Sequence, residues 1–341
     1  MRSEITIDLG ALRRNVARLV DVLGTTELWA VVKANGYGHG AVDCAAAAVE
    51  AGATALCVAT LPEALEVRSA VPEARILVFG PVDDVRAARE ARLELCVGAE
   101  VPEGIPVHVK LDTGMGRWGL RELEAPARNV VGLMTHLATA DSDLAFARKQ
   151  LERFARETAE YAHLTRHAAN SAATLRLPES HLDAVRCGVA LYGLSPFGGD
   201  PEAEGLEPVL GWRSELAMVK ELGPGESTGY GRMFVAASPT WIGVVPVGYA
   251  DGFRRDLTGT RVLVDGAPRS VVGAVSMDAL AVELPGPLAV GTPVTLVGPG
   301  ATLEAHARVA GTINYELATR VDSSPTRATR RVLAVDDLLH N

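Results

Sequence analysis

Up to about residue 206 the chain alternates short apolar, β-branched runs with stretches of helical period. The runs are Leu28–Lys33, Ala55–Ala59, Ile76–Phe79, Leu93–Val97, Val107–Leu111, Val130–His136, Leu164–His167 and Asp183–Arg186. Helical segments lie between most of them, including Ala41–Ala51, Pro62–Ser69, Val82–Ala91 and Ser142–Ala162. Strand and helix in alternation predict a parallel sheet, and eight such units fit a (β/α)8 barrel. A doubly wound open sheet is the competing architecture, but it calls for fewer strands and usually a glycine fingerprint after the first. Two connections are short for the barrel pattern. Gly98–Pro106, rich in Pro, Gly and Glu, cannot hold a crossover helix, and Arg121–Arg128 is cramped. The pattern therefore predicts a barrel with one helix missing and another cut to a turn or two.

From Glu207 the rhythm changes. Runs at Trp212–Val219, Trp241–Val247, Arg261–Val264, Ser270–Val275, Leu280–Glu283 and Val294–Val297 are separated by turns such as Gly223-Pro224-Gly225, Asp265-Gly266 and Pro285-Gly286-Pro287. This reads as an all-β domain. The predicted organisation is a barrel over residues 9–206, a linker in Gly198–Pro208 and a β-strand domain over 207–341, with residues 1–8 adding a strand to it. Asp322–Arg331, polar, basic and Pro-containing, is expected to be poorly ordered.

Composition narrows the function without choosing it. With 48% apolar and 22% charged residues, the chain is globular in character. Net charge is 33 − 42 = −9, which opposes nucleic-acid binding, since that relies on cations meeting phosphates. Cys44, Cys57, Cys96 and Cys187 show no C-x-x-C pair and no metal-ligand spacing, and read as small buried hydrophobes in a reducing compartment. No metal is expected. The N-terminal residues lack a signal-peptide pattern, and the most apolar window, 41–60, is broken by Asp43 and Glu50. The expectation is a cytoplasmic protein with no membrane partner.

The segment most informative for chemistry is Ala30-Val31-Val32-Lys33-Ala34-Asn35-Gly36-Tyr37-Gly38-His39-Gly40. A lysine ending an apolar strand points into a barrel mouth, where catalytic groups of this architecture sit. Taken singly, such a lysine is more commonly a snorkelling strand-end residue. Here a glycine-rich loop follows it, able to close on a ligand. An amine in a semi-apolar pocket becomes a nucleophile towards carbonyls, pyridoxal phosphate among them.

This segment resembles the cofactor-lysine signature of the bacterial alanine racemases, which depend on pyridoxal 5′-phosphate. Similar motifs recur in order: Ile7-Asp8-Leu9, Lys110–Arg117, Thr135-His136-Leu137-Ala138, His167–Ser171, Val185-Arg186-Cys187-Gly188, Gly229-Tyr230-Gly231, Val247–Gly252, Ser276-Met277-Asp278 and Thr312–Glu316. One glycine-rich lysine loop is a weak signal, whereas so many ordered motifs are a strong one. The resemblance implies the same architecture as the periodicity, a barrel followed by a mostly β C-terminal domain.

It also implies roles. Lys33 would carry the cofactor, while Tyr37, Ser171, the backbone amides of Gly188 and Val189, and Tyr315 would hold its phosphate. Arg186 would face the pyridine nitrogen, where a permanently protonated group disfavours ring protonation and so disfavours transamination. Racemisation needs acid/base groups on opposite faces of the α-carbon, and Lys33 and Tyr230 match the pair. Arg117 and His136 would support the cofactor, with Arg117 also near the substrate carboxylate. Lys110 would be the lysine that relatives often carry as a carbamate. Met277 and Tyr249 would narrow the substrate site towards alanine, and Asp141, Arg255 and Ile313 would line the entry channel. Ala274 stands where many relatives have arginine. The implied partners are L- and D-alanine and a second copy of the chain, in a homodimer with composite active sites supplying D-alanine for peptidoglycan. A serine or broad-specificity racemase, a decarboxylase on a related barrel and a non-catalytic cofactor carrier are the alternatives. Arg186 and Tyr230 argue against the decarboxylase, and the second domain against the carrier.

Overall fold

The computed structural model describes residues 2–123 and 126–334. The chain starts with β1 (Glu4–Asp8) and α1 (Leu9–Leu23). Eight parallel strands follow: β2 (Glu27–Val31), β3 (Ala55–Val58), β4 (Arg75–Val78), β5 (Glu94–Val97), β6 (Val107–Lys110), β7 (Val130–Met134), β8 (Thr165–His167) and β9 (Ala184–Cys187). They close into a barrel in chain order, with Glu27 of β2 registered against Ala184 of β9. All eight predicted runs are strands of this barrel. Its compact unit comprises Leu12–Phe197 and Glu202–Glu207. The strands are short and mostly buried along their whole length, as in Ala55–Val58, because helices cover the outside and side chains fill the inside.

The helices differ from expectation mainly at their ends. Ala41–Ala51 forms α2 (Ala41–Glu50), and Pro62–Ser69 forms α3 (Leu61–Ala70), opened by a Thr60–Glu63 capping box. Val82–Ala91 shortens to α4 (Val85–Glu90), because the Asp84 carboxylate accepts from Ala87 N at 2.9 Å and starts the helix there. Ser142–Ala162 becomes α5 (Leu144–Glu157) and a separate 3-10 turn at Ala159–Tyr161. The connection Gly98–Pro106 holds no helix, as its Pro and Gly content requires. The helix expected as a turn or two in Arg121–Arg128 is not formed among the described residues either, and Glu124 and Ala125 lie outside them. After β8 come the short α6 (Ser171–Arg176) and a 3-10 turn at Pro178–Ser180.

The rest of the described chain forms the second unit, around a nine-stranded sheet. Its strands are β1 with β10 (Leu210–Glu215), β11 (Met218–Leu222), β14 (Thr240–Val245), β15 (Arg261–Val264), β16 (Ala267–Val272), β17 (Leu280–Leu284), β18 (Pro293–Val297) and β19 (Thr329–Leu333). The small pair β12 (Ser227–Thr228) and β13 (Phe234–Val235) stands apart. The sheet order is β11-β14-β17-β16-β15-β18-β10-β1-β19. Asp265-Gly266 makes the β15–β16 hairpin with φ of 50° and 74°, the left-handed pair that a tight hairpin turn needs. β1 lies between β10 and β19, and Ile5 and Ile7 are fully buried on its inner face.

Three expectations are corrected here. Trp212–Val219 is two strands, because Leu216 N donates to Thr292 O while Ala217 N turns to Val244 O, changing partner. The domain is not all-β: Thr302 caps α7 (Leu303–Ala310), Gly311 ends it in a left-handed conformation, and α8 (Asn314–Ala318) follows. The 322–331 segment is ordered by pairing. Arg327 Nη1 meets Asp278 at 2.7 Å, and Thr329–Leu333 runs parallel to β1 with Arg331 against Glu4 at 3.3 Å. A polar composition conceals a strand whose partner is far away in sequence.

Candidate functional site

Lys33 lies just past β2 rather than in it, because the backbone turns left-handed at the next residue. Ala34, Asn35, Gly36, Tyr37 and Gly38 have φ of 52°, 52°, 61°, 53° and 84°. Three of these carry a Cβ, at a cost of roughly 1–2 kcal/mol each in this conformation. The turn is held by Gly36 N to Val32 O at 2.9 Å, Gly38 N to Ala34 O at 3.0 Å and Ala41 N to the Asn35 side chain at 3.0 Å. His39 stacks on Tyr192, with centroids 4.5 Å apart, and the Tyr192 hydroxyl donates to Val31 O at 3.1 Å. Burial, with help from the charge of Arg117, lowers the Lys33 amine below the ordinary lysine value.

Arg186, on β9, is buried in the barrel with only 3% exposure. Its Nη1 donates to His167 Nδ1 at 2.7 Å, and its Nη2 to the carbonyls of Thr135 and Ala168 at 2.8 and 3.0 Å. Because arginine only donates, His167 Nδ1 must accept. The proton of neutral His167 is then on Nε2, 2.8 Å from His108 Nδ1, and that of His108 is on its own Nε2, 2.9 Å from Glu94 Oε2. Arg75 Nη2 approaches the same His108 nitrogen at 3.4 Å, the longer and weaker contact. Every proton in this file points from Arg186 towards Glu94. Burial foremost, and Arg186 next, hold His167 well below its usual range, and burial also lowers His108. Burial pushes the Glu94 carboxyl up, but hydrogen bonds from His108 and Arg75 outweigh it and hold it low. Burial brings the Arg186 guanidinium down to about 10, still charged at neutral pH.

His136 lies just past the end of β7. Its Nδ1 is 3.3 Å from Arg186 Nη2, and burial, then Arg186, Lys110, Arg117 and Lys33, keep it neutral. The charges of four cations act on this ring in a chain of net charge −9. Lys110, 6% exposed at the end of β6, is lowered by burial, with Arg117 and Arg186 adding to it. Arg117 is exposed on the loop beyond β6, where Asp112 accepts from Gly114 N and Gly116 N at 3.0 Å.

Beside this cationic cluster is a neutral cradle. Gly188 N and Ala190 N donate to Ser171 Oγ at 3.1 and 3.3 Å. Val189 opens the 3-10 turn that follows. A Cβ on Gly188 would lie 2.5 Å from the Tyr37 hydroxyl, so only glycine lets that oxygen sit over the Gly188 backbone. The barrel thus brings together Lys33, Tyr37, Arg117, His136, Ser171, Arg186, Gly188 and Val189. Asp141 is exposed in the loop before α5.

The remaining candidates belong to the sheet unit. Tyr230, between Gly229 and Gly231 with φ of 78° and 70°, is 73% exposed. Tyr249 and Met277 are on adjoining loops, tied by Tyr249 N to Ser276 O and Ala250 N to Met277 O at 3.0 Å. A Cβ on Gly248 would meet Ser276 O at 2.2 Å, so the two loops touch through a bare backbone. Tyr249, Arg255 and Ala274 line a cavity of about 1200 Å³. Tyr315 is half-buried on α8 and Ile313, before it, is exposed. Sequence reading singled out neither Glu94 nor His108 as functional. The available signal was the polar pair His108 and Lys110 alternating with valines inside a barrel strand.

No helix among the described residues is long and apolar enough to cross a membrane. Two family descriptions match: "Alanine racemase, N-terminal domain" over residues 7–196 and "Alanine racemase, C-terminal domain" over 209–329. The chain is 42% identical to the alanine racemase of Lactiplantibacillus plantarum, over 93% of this chain and 94% of that protein. It is 41% identical to that of Streptomyces coelicolor, over 96% and 95%. The crystal structure of alanine racemase from Streptomyces lavendulae matches with a TM-score of 0.89 at 35% identity, covering 100% of this chain and 99% of that one. With both halves matched and nearly the whole length shared, the chain belongs to the alanine racemase family.

Proposed function

We propose that this protein interconverts L- and D-alanine with pyridoxal 5′-phosphate, by a two-base mechanism, and supplies D-alanine for peptidoglycan in the cytoplasm. The observation that carries the reading is a basic barrel mouth: Arg186 Nη2 lies 3.3 Å from His136 Nδ1, and the charges of Lys110, Arg117 and Lys33 act on the same ring. Such a mouth suits a ligand with a dianionic phosphate and a substrate carboxylate. The donor set fits the cofactor: hydroxyls of Tyr37 and Ser171 with the amides of Gly188 and Val189 for the phosphate, the Gly188 amide exchanging Ser171 Oγ for a phosphate oxygen, an amine at Lys33, and a fixed cation at Arg186. When bound, the cofactor withdraws electrons from the α-carbon of an attached amino acid and makes its C–H acidic.

The chain's own groups do the rest. The lowered Lys33 amine is more readily uncharged, so it serves first as nucleophile and then as proton acceptor on one face. Arg186 is locked by His167 and two carbonyls, and would offer the ring nitrogen of the cofactor a donor rather than a carboxylate. Arg117 binds the substrate carboxylate. The lowering of Lys110 leaves its amine competent for the carbamate expected there, whose charge would orient Arg117. Tyr249 and Met277 restrict the side chain to about a methyl group.

Tyr230 is the acid/base group for the opposite face, and we assign it to the neighbouring subunit of a two-fold dimer. Its exposure supports this, since a tyrosine buried in its own unit could serve no second chain. Lys33→Ala and Tyr230→Ala homodimers should both be nearly inactive. Co-expressed, half the dimers would be hybrids with one intact site, returning about a quarter of wild-type activity. A purified hybrid as inactive as its parents would refute the shared site. Comparing alanine with serine in both directions would separate the two racemase readings.

A further inference from the structure

The left-handed turn after Lys33 has an anchor outside its own loop. The amide of Ala34, first in the turn, donates to Glu63 Oε1 at 2.8 Å. The other oxygen, Glu63 Oε2, accepts from Ala59 N at 2.7 Å and from Thr60 N at 3.1 Å. Helix capping explains part of this arrangement. Glu63 closes the capping box at the start of α3, which requires the Thr60 amide. The bond to Ala34 reaches 29 residues back along the chain and serves no cap.

We infer that Glu63 is a positioning residue for Lys33: one carboxylate ties the left-handed turn to the end of β3 and keeps a negative charge beside the amine. The inference rests on Lys33 carrying the chemistry proposed above. Each packed element presents a different charge to that amine. Arg117, from the loop after β6, opposes protonation, and Glu63, from α3, favours it. Cys57 on β3 faces it as a thiol that burial pushes up to about 12, and His136 after β7 is held neutral. Glu63 therefore works against burial and Arg117, which together still leave the amine below the ordinary lysine value. It does so while accepting three amide protons, which a neutral side chain of the same size cannot do with one acceptor oxygen.

The test uses Glu63→Gln, which keeps the size and the capping-box option, with Thr60→Ala as the control that weakens the cap and leaves the carboxylate. Two readouts are taken on the full-length protein. One is hydrogen exchange at the Ala34 amide with the cofactor bound. The other is the pH dependence of Lys33 acetylation after cofactor removal. Glu63→Gln should speed Ala34 exchange on the order of ten-fold, the scale of a lost bond to a charged acceptor, and move the Lys33 labelling midpoint to lower pH. Thr60→Ala should move neither. Unchanged readouts in Glu63→Gln, or equal changes in Thr60→Ala, would overturn the inference. Racemisation surviving in Lys33→Ala would instead refute the functional reading itself, and remove the amine's need for positioning with it.

Discussion

Arg186 donates and never accepts, and that asymmetry orders the protons of the two imidazoles beneath it, His167 and His108. The file from Arg186 to Glu94 is a charge pair bridged by two neutral imidazoles. Lysine at position 186 would keep the charge but lose the planar fork that serves His167, Thr135 O and Ala168 O together. Arg186→Lys should cost roughly 1–3 kcal/mol of unfolding free energy, the scale of buried acceptors left unpaired. Urea denaturation measures this, and nitrogen NMR of the ring atoms should find wild-type His108 and His167 both protonated on Nε2. A wild-type His167 protonated on Nδ1 would contradict the whole direction of the file.

At the scale of elements, one strand makes room for another's side chain. Gly132 of β7 is registered opposite His108 of β6, and a Cβ there would lie 2.1 Å from His108 Nδ1. Gly132→Ala should therefore displace the imidazole and cost about 1–3 kcal/mol as an overpacked core does. Coupled with His108→Ala the loss should be less than the sum of the two single changes, and simple additivity in a denaturation cycle would show that the two sites do not meet. Nothing near Gly132 in the sequence announces this pairing. The eight barrel strands were legible because each announces itself by local composition, and Lys33 because its glycine-rich loop follows it directly. Glu63, Glu94 and His108 take their roles from neighbours across the barrel. Residues 329–331 were misjudged for the same reason: their order comes from β1, more than three hundred residues earlier. Short helices at 303–318 were hidden because Thr302 and Gly311 resemble turn residues as much as helix caps.

For the molecule as a whole, the buried imidazoles set the response to acid. Burial lowers His108, His136, His167 and His306 below the ordinary 6.5. The unfolded chain then binds protons that the folded one refuses, so the stability is full above about pH 6.5 and falls as pH drops below it. Each such proton contributes a slope of about 1.4 kcal/mol per pH unit. Relaxation of the −9 net charge towards the pI near 5.5 acts the other way, but on charges spread over a large surface. Denaturation of the cofactor-free chain should show lower stability at pH 5.5 than at 7.5, and a rise instead would mean that the imidazoles are not held neutral. The place of β1 between β10 and β19 bears on how a ribosome delivers the protein. Its hydrogen-bonding partner β10 is made about two hundred residues later, a delay of roughly 10–40 s at ordinary translation speed. Through that interval the nascent chain trails an unpaired strand with two bare isoleucines, a bait for other edges. Slowing elongation in the barrel half should increase aggregation more than slowing it in the last third.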